Sequence, residues 1–397
     1  MRGYIKKITA DNRFWAVLYF LVTLLSVVSV YEGIRNAITW SQDFQYDASA
    51  ALISGIDPYD MSLDPDEDKL RSVEKLNEFY SYFEGLGTPQ KMEANQFPSL
   101  LYILTPYALM PYKAARWAWL ITNLILTSVI IMLLKKTFMK DVDERLYPVF
   151  IMLMLSGTPW RNQLGVGQHT IFALAFFLLA VYLSEKEEKG VLGNPVTVGL
   201  VLSLSYLKYT VTAPLAIYFI YRKKWKELLI SLLPHLVLTQ VAAAVLGESF
   251  SDMLIKPLKV ASALSAQGSI DVGVLTGGAS YTVVITGGIM IFLVILAVMM
   301  PAGMDELFIS TAILLSLIMT YHRTYDFFIM IMVFGYFATG SMKTAEIIYL
   351  ITTLMFFFIL RVFNENVICL TISGALYYAC VIAFVVISCE TVLKRAG

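Results

Sequence analysis

The chain has 397 residues, of which 58% are hydrophobic and only 15% charged, and its 30 basic residues balance its 30 acidic residues. A soluble domain carries about 25% charged residues, so this composition excludes an ordinary soluble protein. The zero net charge gives no reason to expect a nucleic-acid partner. Apolar stretches recur along the chain, and most approach the length needed to cross ~30 Å of hydrocarbon. We therefore predict an all-α, multi-pass membrane protein.

The N-terminus predicts the orientation of the chain. Four basic residues lie within 1–13, directly before a first apolar span at 14–38. Basic residues next to a span favour the cytoplasmic side, and the long apolar run without a small-residue cleavage site indicates an uncleaved signal-anchor. The following loop, 41–96, contains twelve acidic and four basic residues. We expect this long first loop to lie outside the cytoplasm.

Two segments near this loop carry helical patterns that are too short or too polar to span. The stretch 72–85 places apolar residues at helical spacing, which predicts an amphipathic helix lying on the membrane surface. The run 97–110 has fourteen residues, or ~21 Å of helix. We interpret it as a re-entrant or interfacial helix, because counting it as a span would reverse the side of most basic clusters that follow.

The rest of the chain then alternates consistently across the membrane, with the basic clusters at 135–145 and 222–226 in the cytoplasm. An external segment is expected at 248–278, and the C-terminus is expected in the cytoplasm. We predict one membrane domain over 1–397, with no separate soluble domain and about twelve spans. These are 14–38, 115–134, 146–160, 168–184, 191–207, 209–221, 227–247, 279–300, 305–320, 326–341, 344–361 and 368–392.

Polar residues that are unusual for a membrane bundle fall almost entirely at the predicted external helix ends. Charged groups at such positions are costly unless they pair or carry function, and several junctions on one side of a bundle can line one cavity. The sequence therefore predicts one external site. Its candidate members are Asp43, Asp47, Gln96, Arg161, Asn162, Gln163, Gln168, His169, Lys208, Tyr209, His322, Arg323 and Asp326.

A series of motifs occurs in order along the predicted spans. They are Asp43-Phe44 before a small-residue helix, Gly55-x-Asp57-Pro58-Tyr59, Phe97-Pro98, Gly167-Gln168, Lys208, the basic Trp turn at 222–226 and the His-containing loop at 321–326. Their order resembles glycosyltransferase family 87, a family of the GT-C superfamily. The resemblance implies a GT-C fold in the plasma (inner) membrane. It also implies an inverting transfer of a hexose, with mannose expected, from a polyprenyl-phosphate donor to a lipid-linked or cell-surface glycan on the extracytoplasmic face.

By the same resemblance, Asp43 is the general base. Attack by an acceptor hydroxyl requires removal of its proton, which a carboxylate within hydrogen-bond reach can accept. Because the leaving group is already a phosphate ester, a second, acidic carboxylate is not needed as it is in glycoside hydrolysis. The alternative is that Asp43 only caps the helix that follows. Asp47 is the possible second carboxylate.

Six other residues are candidates for binding the donor phosphate or sugar. Lys208 and Arg323 supply cations for a phosphate, and Gln168 follows a Gly-rich turn whose backbone N–H groups can face an anion. In the family an Asn or Ser often follows the Gly-Gln pair, whereas this chain has His169. Each of these features also has a purely structural explanation. The Gly-rich segment can be only a tight turn, the lysine can extend to the membrane interface, and Arg323 can pair with Asp326. The six residues are Arg161, Gln168, His169, Lys208, His322 and Arg323.

No metal or other cofactor is expected. The acidic triplets at 64–66 and 66–68 have the spelling of a metal motif but lie in a highly polar stretch, where solvated carboxylates are the simpler interpretation. The rival function is a transporter or flippase of lipid-linked sugars, which inverted repeats and polar groups at mid-membrane would favour. A glycan ligase or polymerase would favour late external loops rich in Arg and His. The sequence has none of these features.

Overall fold

The computed structural model describes residues 12–39, 44–186, 190–263, 270–276, 281–337, 344–360 and 366–396. All regular elements in these ranges are helical. The first group contains the first long helix, the helices of the loop that follows it and two short apolar helices. They are α1 (Asn12–Thr39), α2 (Tyr46–Ile53), α3 (Pro58–Leu63), α4 (Glu67–Arg71), α5 (Glu74–Gly85), α6 (Pro98–Ile103) and α7 (Thr105–Ala108).

The remaining helices form the bulk of the bundle. They are α8 (Tyr112–Lys136), α9 (Leu146–Ser156), α10 (Thr158–Val166), α11 (Thr170–Ser184), α12 (Pro195–Ser205), α13 (Tyr209–Ala216), α14 (Tyr218–Tyr221), α15 (Trp225–Leu246), α16 (Phe250–Ala263), α17 (Val272–Leu275), α18 (Tyr281–Met299), α19 (Asp305–Met319), α20 (Phe334–Phe337), α21 (Thr344–Leu354) and α22 (Val367–Ala396). Short 3₁₀ turns lie at Val191–Gly193 and Tyr206–Lys208, a longer 3₁₀ helix at Thr324–Val333 and a π-helical turn at Met355–Ile359.

Six segments of the described chain are long and apolar enough to cross a membrane. They are Asn12–Thr39, Tyr112–Lys136, Pro195–Tyr221, Trp225–Leu246, Thr282–Met299 and Val367–Lys394. A seventh is formed if α10 and α11, which meet at 107°, count as one broken span. This composition is that of a multi-pass membrane protein. The predicted number of twelve spans and the GT-C arrangement stay predictions.

The segment from 195 to 221 reverses direction at its centre instead of running straight. Thr212 Oγ1 donates a hydrogen bond to the Ser205 carbonyl oxygen at 2.7 Å, although seven residues of straight helix would separate them by about 10 Å. A side chain at Gly199 would lie 2.9 Å from the carbonyl oxygen of Glu227, which lies just beyond the end of the segment, so the chain returns to the level of Gly199. The chain therefore turns at 206–208, where the sequence divides two of the predicted spans.

The loop after α1 is folded against the two short helices α6 and α7. Tyr46 donates to the Met110 carbonyl oxygen, Ser49 to that of Leu101 and Tyr59 to that of Gln96, each at 2.8 Å. The helices α6 and α7 have six and four residues, so each is well short of ~30 Å. Their position as a re-entrant or interfacial element stays a prediction.

The amphipathic helix predicted at 72–85 is present as α5, but the prediction that it lies on the membrane surface is wrong. Leu76, Phe79, Tyr80 and Phe83 are buried inside the protein. The Phe79 ring lies 4.8 Å from that of Tyr112 at the start of α8. Helical spacing reveals an apolar face but does not identify what covers that face, and here it is covered by aromatic side chains of α2 and α8.

The span predicted at 326–341 also differs from an ordinary α-helix. Residues 324–333 form a ten-residue 3₁₀ helix, which continues into the four-residue α20. Because 3₁₀ runs longer than three or four residues are uncommon and often mark strained or functional segments, this geometry is notable. It begins directly after the polar segment 320–323.

Candidate active site

Three interruptions of helical structure meet near one point of the bundle. The first is the sharp bend between α10 and α11, where Gly167 has a φ of 77°. Glycine adopts this left-handed conformation without the cost that a Cβ imposes. The Gly167 carbonyl oxygen accepts a hydrogen bond from Trp119 Nε1 at 2.7 Å, which fixes the bend against α8. The other two interruptions are the turn at 206–208 and the segment 320–326.

Asp326 is the centre of the polar contacts at this point. Its carboxylate lies 2.8 Å from His322 Nδ1 and accepts a hydrogen bond from the Thr170 hydroxyl. The Thr320 hydroxyl lies 3.2 Å from the other ring nitrogen of His322. Asp326 and His322 are both fully buried. Two of the three interruptions, at 170 and at 320–326, are thus joined through one carboxylate.

Lys208 brings the third interruption to the same carboxylate. Its ammonium nitrogen lies 3.7 Å from Asp326 and 3.4 Å from the amide oxygen of Gln168. The Lys208 side chain is largely buried, and its nitrogen also lies 5.6 Å from the centre of the Tyr325 ring. We call Gln168, Thr170, Lys208, His322 and Asp326 the central cluster. The hydrogen bonds of this cluster involve charged groups that are shielded from solvent, as is common in sites that bind charged ligands.

The entry of the first loop lies next to this cluster. Phe44 is stacked on Trp119 with a centroid distance of 5.4 Å, and the Trp119 ring lies 5.7 Å from that of His169. His169 is buried and is followed directly by Thr170. Asp43, the candidate general base, lies outside the described residues. Phe44, the residue that follows Asp43, therefore contacts Trp119, which packs against His169 between Gln168 and Thr170 of the central cluster.

The two candidate arginines lie apart from Asp326 in the described contacts. Arg161 forms an ion pair with Glu32 of α1, so its guanidinium also ties α10 to the first helix. Arg323 has an exposed side chain whose Nε donates to the Tyr321 hydroxyl at 2.6 Å. The predicted alternative, an Arg323–Asp326 pair, is not observed among the described contacts. The partners of the Asp326 carboxylate are His322, Lys208 and Thr170.

Asp47 is in a different environment from the central cluster. It lies in the first turn of α2, is buried beneath α5 and accepts a hydrogen bond from the Tyr80 hydroxyl at 3.3 Å. Burial raises the pKa of the Asp47 carboxyl to about 6, against the lowering effect of the Ala48 N–H and Tyr80 bonds. The contacts of Asp47 join the helices of the first loop to each other.

A second ionic group, the loop cluster, joins the first loop to α16. The Lys256 ammonium lies 2.6 Å from Asp57, 2.9 Å from Asp60 and 3.0 Å from Glu248. Burial lowers the pKa of Lys256, but the three carboxylates outweigh that effect and raise it above its usual value. Oxygens of these carboxylates lie within 4.8 Å of one another, a spacing that suits a cation. The ammonium already takes that place.

Sequence reasoning identified most of the central cluster but missed its organisation. Asp326 was recognised as an unusual polar residue, yet only as a partner for Arg323, and Thr170 was not singled out. The closeness of His322 and Asp326 in the sequence was an available signal, although residues 321–323 are not helical and the pair does not meet through helical spacing. Thr170 gave no signal, since a threonine at the start of an apolar helix is unremarkable.

The fold and this cluster define a helical multi-pass membrane protein with ionisable groups where its broken helices meet. The model of glycosyltransferase family 87 matches residues 98–322, more than half of the chain, and the protein belongs to that family. It is therefore a membrane glycosyltransferase that uses a sugar donor and an acceptor. No curated protein and no solved structure matches the chain. The matched range contains Gln168, Lys208 and His322 and excludes Asp43 and Asp326.

Proposed function

We propose that this glycosyltransferase transfers a hexose, with mannose as the first sugar to test, from a polyprenyl-phosphate donor to a lipid-linked or cell-surface glycan. The observation that carries the proposal is the Lys208–Asp326 ion pair at 3.7 Å, in a buried site beside the entry of the first loop. At that distance the ammonium keeps hydrogen-bonding capacity for another anion. A phosphate of the donor is the ligand that family membership and this charge together favour.

In this proposal Asp43 removes the proton from the acceptor hydroxyl as the bond from the anomeric carbon to the phosphate oxygen breaks. The acceptor oxygen forms the new glycosidic bond with inversion, and the polyprenyl phosphate leaves with its charge near Lys208 and Arg323. Gln168, His169, His322 and Arg161 are proposed to orient the sugar and phosphate. Displacement of a phosphate ester by a hydroxyl needs only one basic carboxylate.

The decisive experiment measures transfer of labelled sugar by the purified protein from polyprenyl-phosphate mannose and from the corresponding glucose donor. Asp43→Asn keeps the size of the side chain but removes its basicity, so transfer should fall by about 10²–10⁴-fold while donor binding persists. Asp47→Asn is the matched control and should reduce transfer much less. If Asp47→Asn abolishes transfer and Asp43→Asn keeps more than a tenth of it, the base is Asp47. If both variants stay active, the proposed mechanism is wrong.

The proposed orientation places the first loop and the active site on the extracytoplasmic face of the plasma (inner) membrane, with both termini in the cytoplasm. Asp64 is an exposed residue of that loop, and Asp64→Cys can be made in a background in which the three native cysteines are replaced. An impermeant thiol reagent should label this variant in intact cells. Labelling only after the membrane is broken would reverse the orientation and the proposed side of the reaction.

A further inference from the structure

A cavity of about 190 Å³ lies between the end of α1, α5 and the first turns of α8. Its wall includes Ile38, Tyr82, Lys113, Arg116 and Trp117. Pockets for drug-sized ligands have volumes of about 300–1,000 Å³, so this cavity suits a headgroup and not a whole lipid. It is separated from the central cluster by the next turn of α8, where Trp119 packs against Phe44.

Arg116 is the built polar element of this cavity. Its side chain is 94% buried, since only 6% of the residue is exposed. One terminal nitrogen donates to the carbonyl oxygens of Ala37 and Ile38 at 2.7 Å each, and the other donates to the Tyr82 hydroxyl. Arg116 Nε is buried and has no hydrogen-bond partner in the described part of the chain. The guanidinium thus has neutral partners and one unused donor.

The positive charge of this cavity is not matched by a described carboxylate. In the ranges that the structure covers, neither Arg116 nor Lys113 forms an ion pair, and the nearby Glu78 accepts instead from the Tyr112 N–H at 3.3 Å. Lys113 is exposed and lies one turn before Arg116 on α8. The N-terminus of α8 adds further positive potential. A desolvated cation without a counter-charge is costly, which favours binding of an anion.

The rest of the wall is apolar and aromatic. Trp117 is half-exposed, and Leu120 and Ile38 continue the apolar surface along α1 and α8. Tryptophan and tyrosine are enriched at the level of lipid headgroups, and basic pockets between membrane helices bind anionic headgroups. The two cations at one end of the groove match the phosphate of an anionic phospholipid, and the apolar wall matches its acyl chains.

We propose that this cavity binds the phosphate of an anionic phospholipid, with the glycerol and first chain carbons lying along Trp117. Arg116 and Lys113 hold the phosphate oxygens, since guanidinium and ammonium groups both donate to phosphate. The site is distinct from the central cluster and does not depend on the identity of the transferred sugar. It gives the enzyme a fixed lipid next to the helix that carries Trp119.

The test measures binding of phosphatidylglycerol and of phosphatidylcholine with the same chains to the full-length protein, by native mass spectrometry from detergent. Phosphatidylglycerol should bind at least tenfold more tightly. Lys113→Gln is exposed and should fold normally, and it should lower the affinity for phosphatidylglycerol about fivefold. Lys91→Gln, which removes another exposed lysine, within the first loop, is the matched control and should change nothing. Arg116→Gln is the less clean variant, because Arg116 also caps α1.

Three results would overturn the proposal. Equal binding of the two lipids would show that the cavity does not discriminate the net negative charge of the headgroup from the zwitterionic headgroup of phosphatidylcholine. Equal losses in Lys113→Gln and Lys91→Gln would show that the attraction comes from general surface charge. Inorganic phosphate that binds as tightly as phosphatidylglycerol would assign the cavity to a free anion and not to a lipid. Because no readout here involves sugar transfer, the outcome is independent of the proposed reaction.

Discussion

The central cluster and the loop cluster each contain one lysine, but the number of carboxylates around that lysine differs. In the central cluster a single carboxylate, Asp326, serves Lys208, His322 and Thr170, and the ammonium lies 3.7 Å away. In the loop cluster three carboxylates surround Lys256 at 2.6–3.0 Å. The first ammonium keeps capacity for a further anion, whereas the second is saturated.

Under the proposed function, this difference separates a place for a ligand from a structural connection. A loose, buried ion pair holds its groups in position while leaving donors available. A tight group that is partly exposed joins α3 to α16 and contributes little to stability per pair, because solvent screens it. The comparison predicts that equal substitutions in the two clusters have unequal effects.

The largest difference is expected for removal of a carboxylate charge. Asp326→Asn leaves the buried Lys208 without its counter-charge, and breaking a buried pair in this way costs about 3–5 kcal/mol. Asp60→Asn removes one of three carboxylates around Lys256, and its side chain is 51% exposed. That change should cost less than about 1 kcal/mol. Thermal unfolding of both purified variants measures the difference, and equal shifts would contradict the distinction between the clusters.

A smaller difference is expected when the lysine of each cluster is replaced. This difference is measured as a change in affinity for the donor. Lys208→Ala should weaken binding of polyprenyl-phosphate sugar by about 1–3 kcal/mol, the value of a charge-assisted hydrogen bond. Lys256→Ala, from the saturated cluster, should leave donor affinity unchanged. Arg323→Ala tests the second proposed phosphate ligand without placing an unpaired charge in the protein interior.

The measurement is a donor titration with protein levels in the membrane compared for each variant. If Lys208→Ala and Arg323→Ala both bind donor like the wild type, those residues are structural and the phosphate lies elsewhere. If Lys256→Ala weakens donor binding as much as Lys208→Ala does, the loop cluster also belongs to the binding site. Either result would remove the contrast between a loose and a saturated ammonium.

The smallest effect concerns the pH dependence of the first loop. Burial raises the pKa of Asp47 from 3.8 to about 6, so the folded protein retains a proton that the unfolded chain releases between these values. The free energy of unfolding therefore falls as pH rises from about 4 to 6, by about 1–2 kcal/mol. Asp47→Asn should abolish that part of the pH dependence and be the more stable protein at pH 7.

Thermal unfolding across pH 4–8 of the wild type, Asp47→Asn and the exposed control Asp64→Asn measures this term. The Asp64→Asn curve should parallel that of the wild type. If the Asp47→Asn curve does so as well, the Asp47 carboxyl does not carry the raised pKa, and the first loop is not stabilised by a protonated acid.

Parts of the fold followed from local pattern alone. The apolar runs predicted the long helices α1, α8, α15 and α22 nearly at their observed bounds, because length and hydropathy are properties of neighbouring residues. The turn at Lys208 was predicted for the same reason, since a charged residue interrupts an apolar run. The membrane location of α5 was wrong, because an amphipathic pattern shows that a face will be covered but not by what.

The sequence by itself determined the class of the protein, its family motifs and the types of residue available for the site. Composition and spacing suffice for these because they depend only on what is near in the chain. The tertiary structure alone decided that Asp326 serves Lys208, His322 and Thr170, that Lys256 is saturated, and that the buried Arg116 has no carboxylate partner among the described residues. Those facts depend on residues as much as 199 positions apart, as between Lys256 and Asp57. No local pattern encodes which distant groups meet, since packing of the whole bundle fixes their distances.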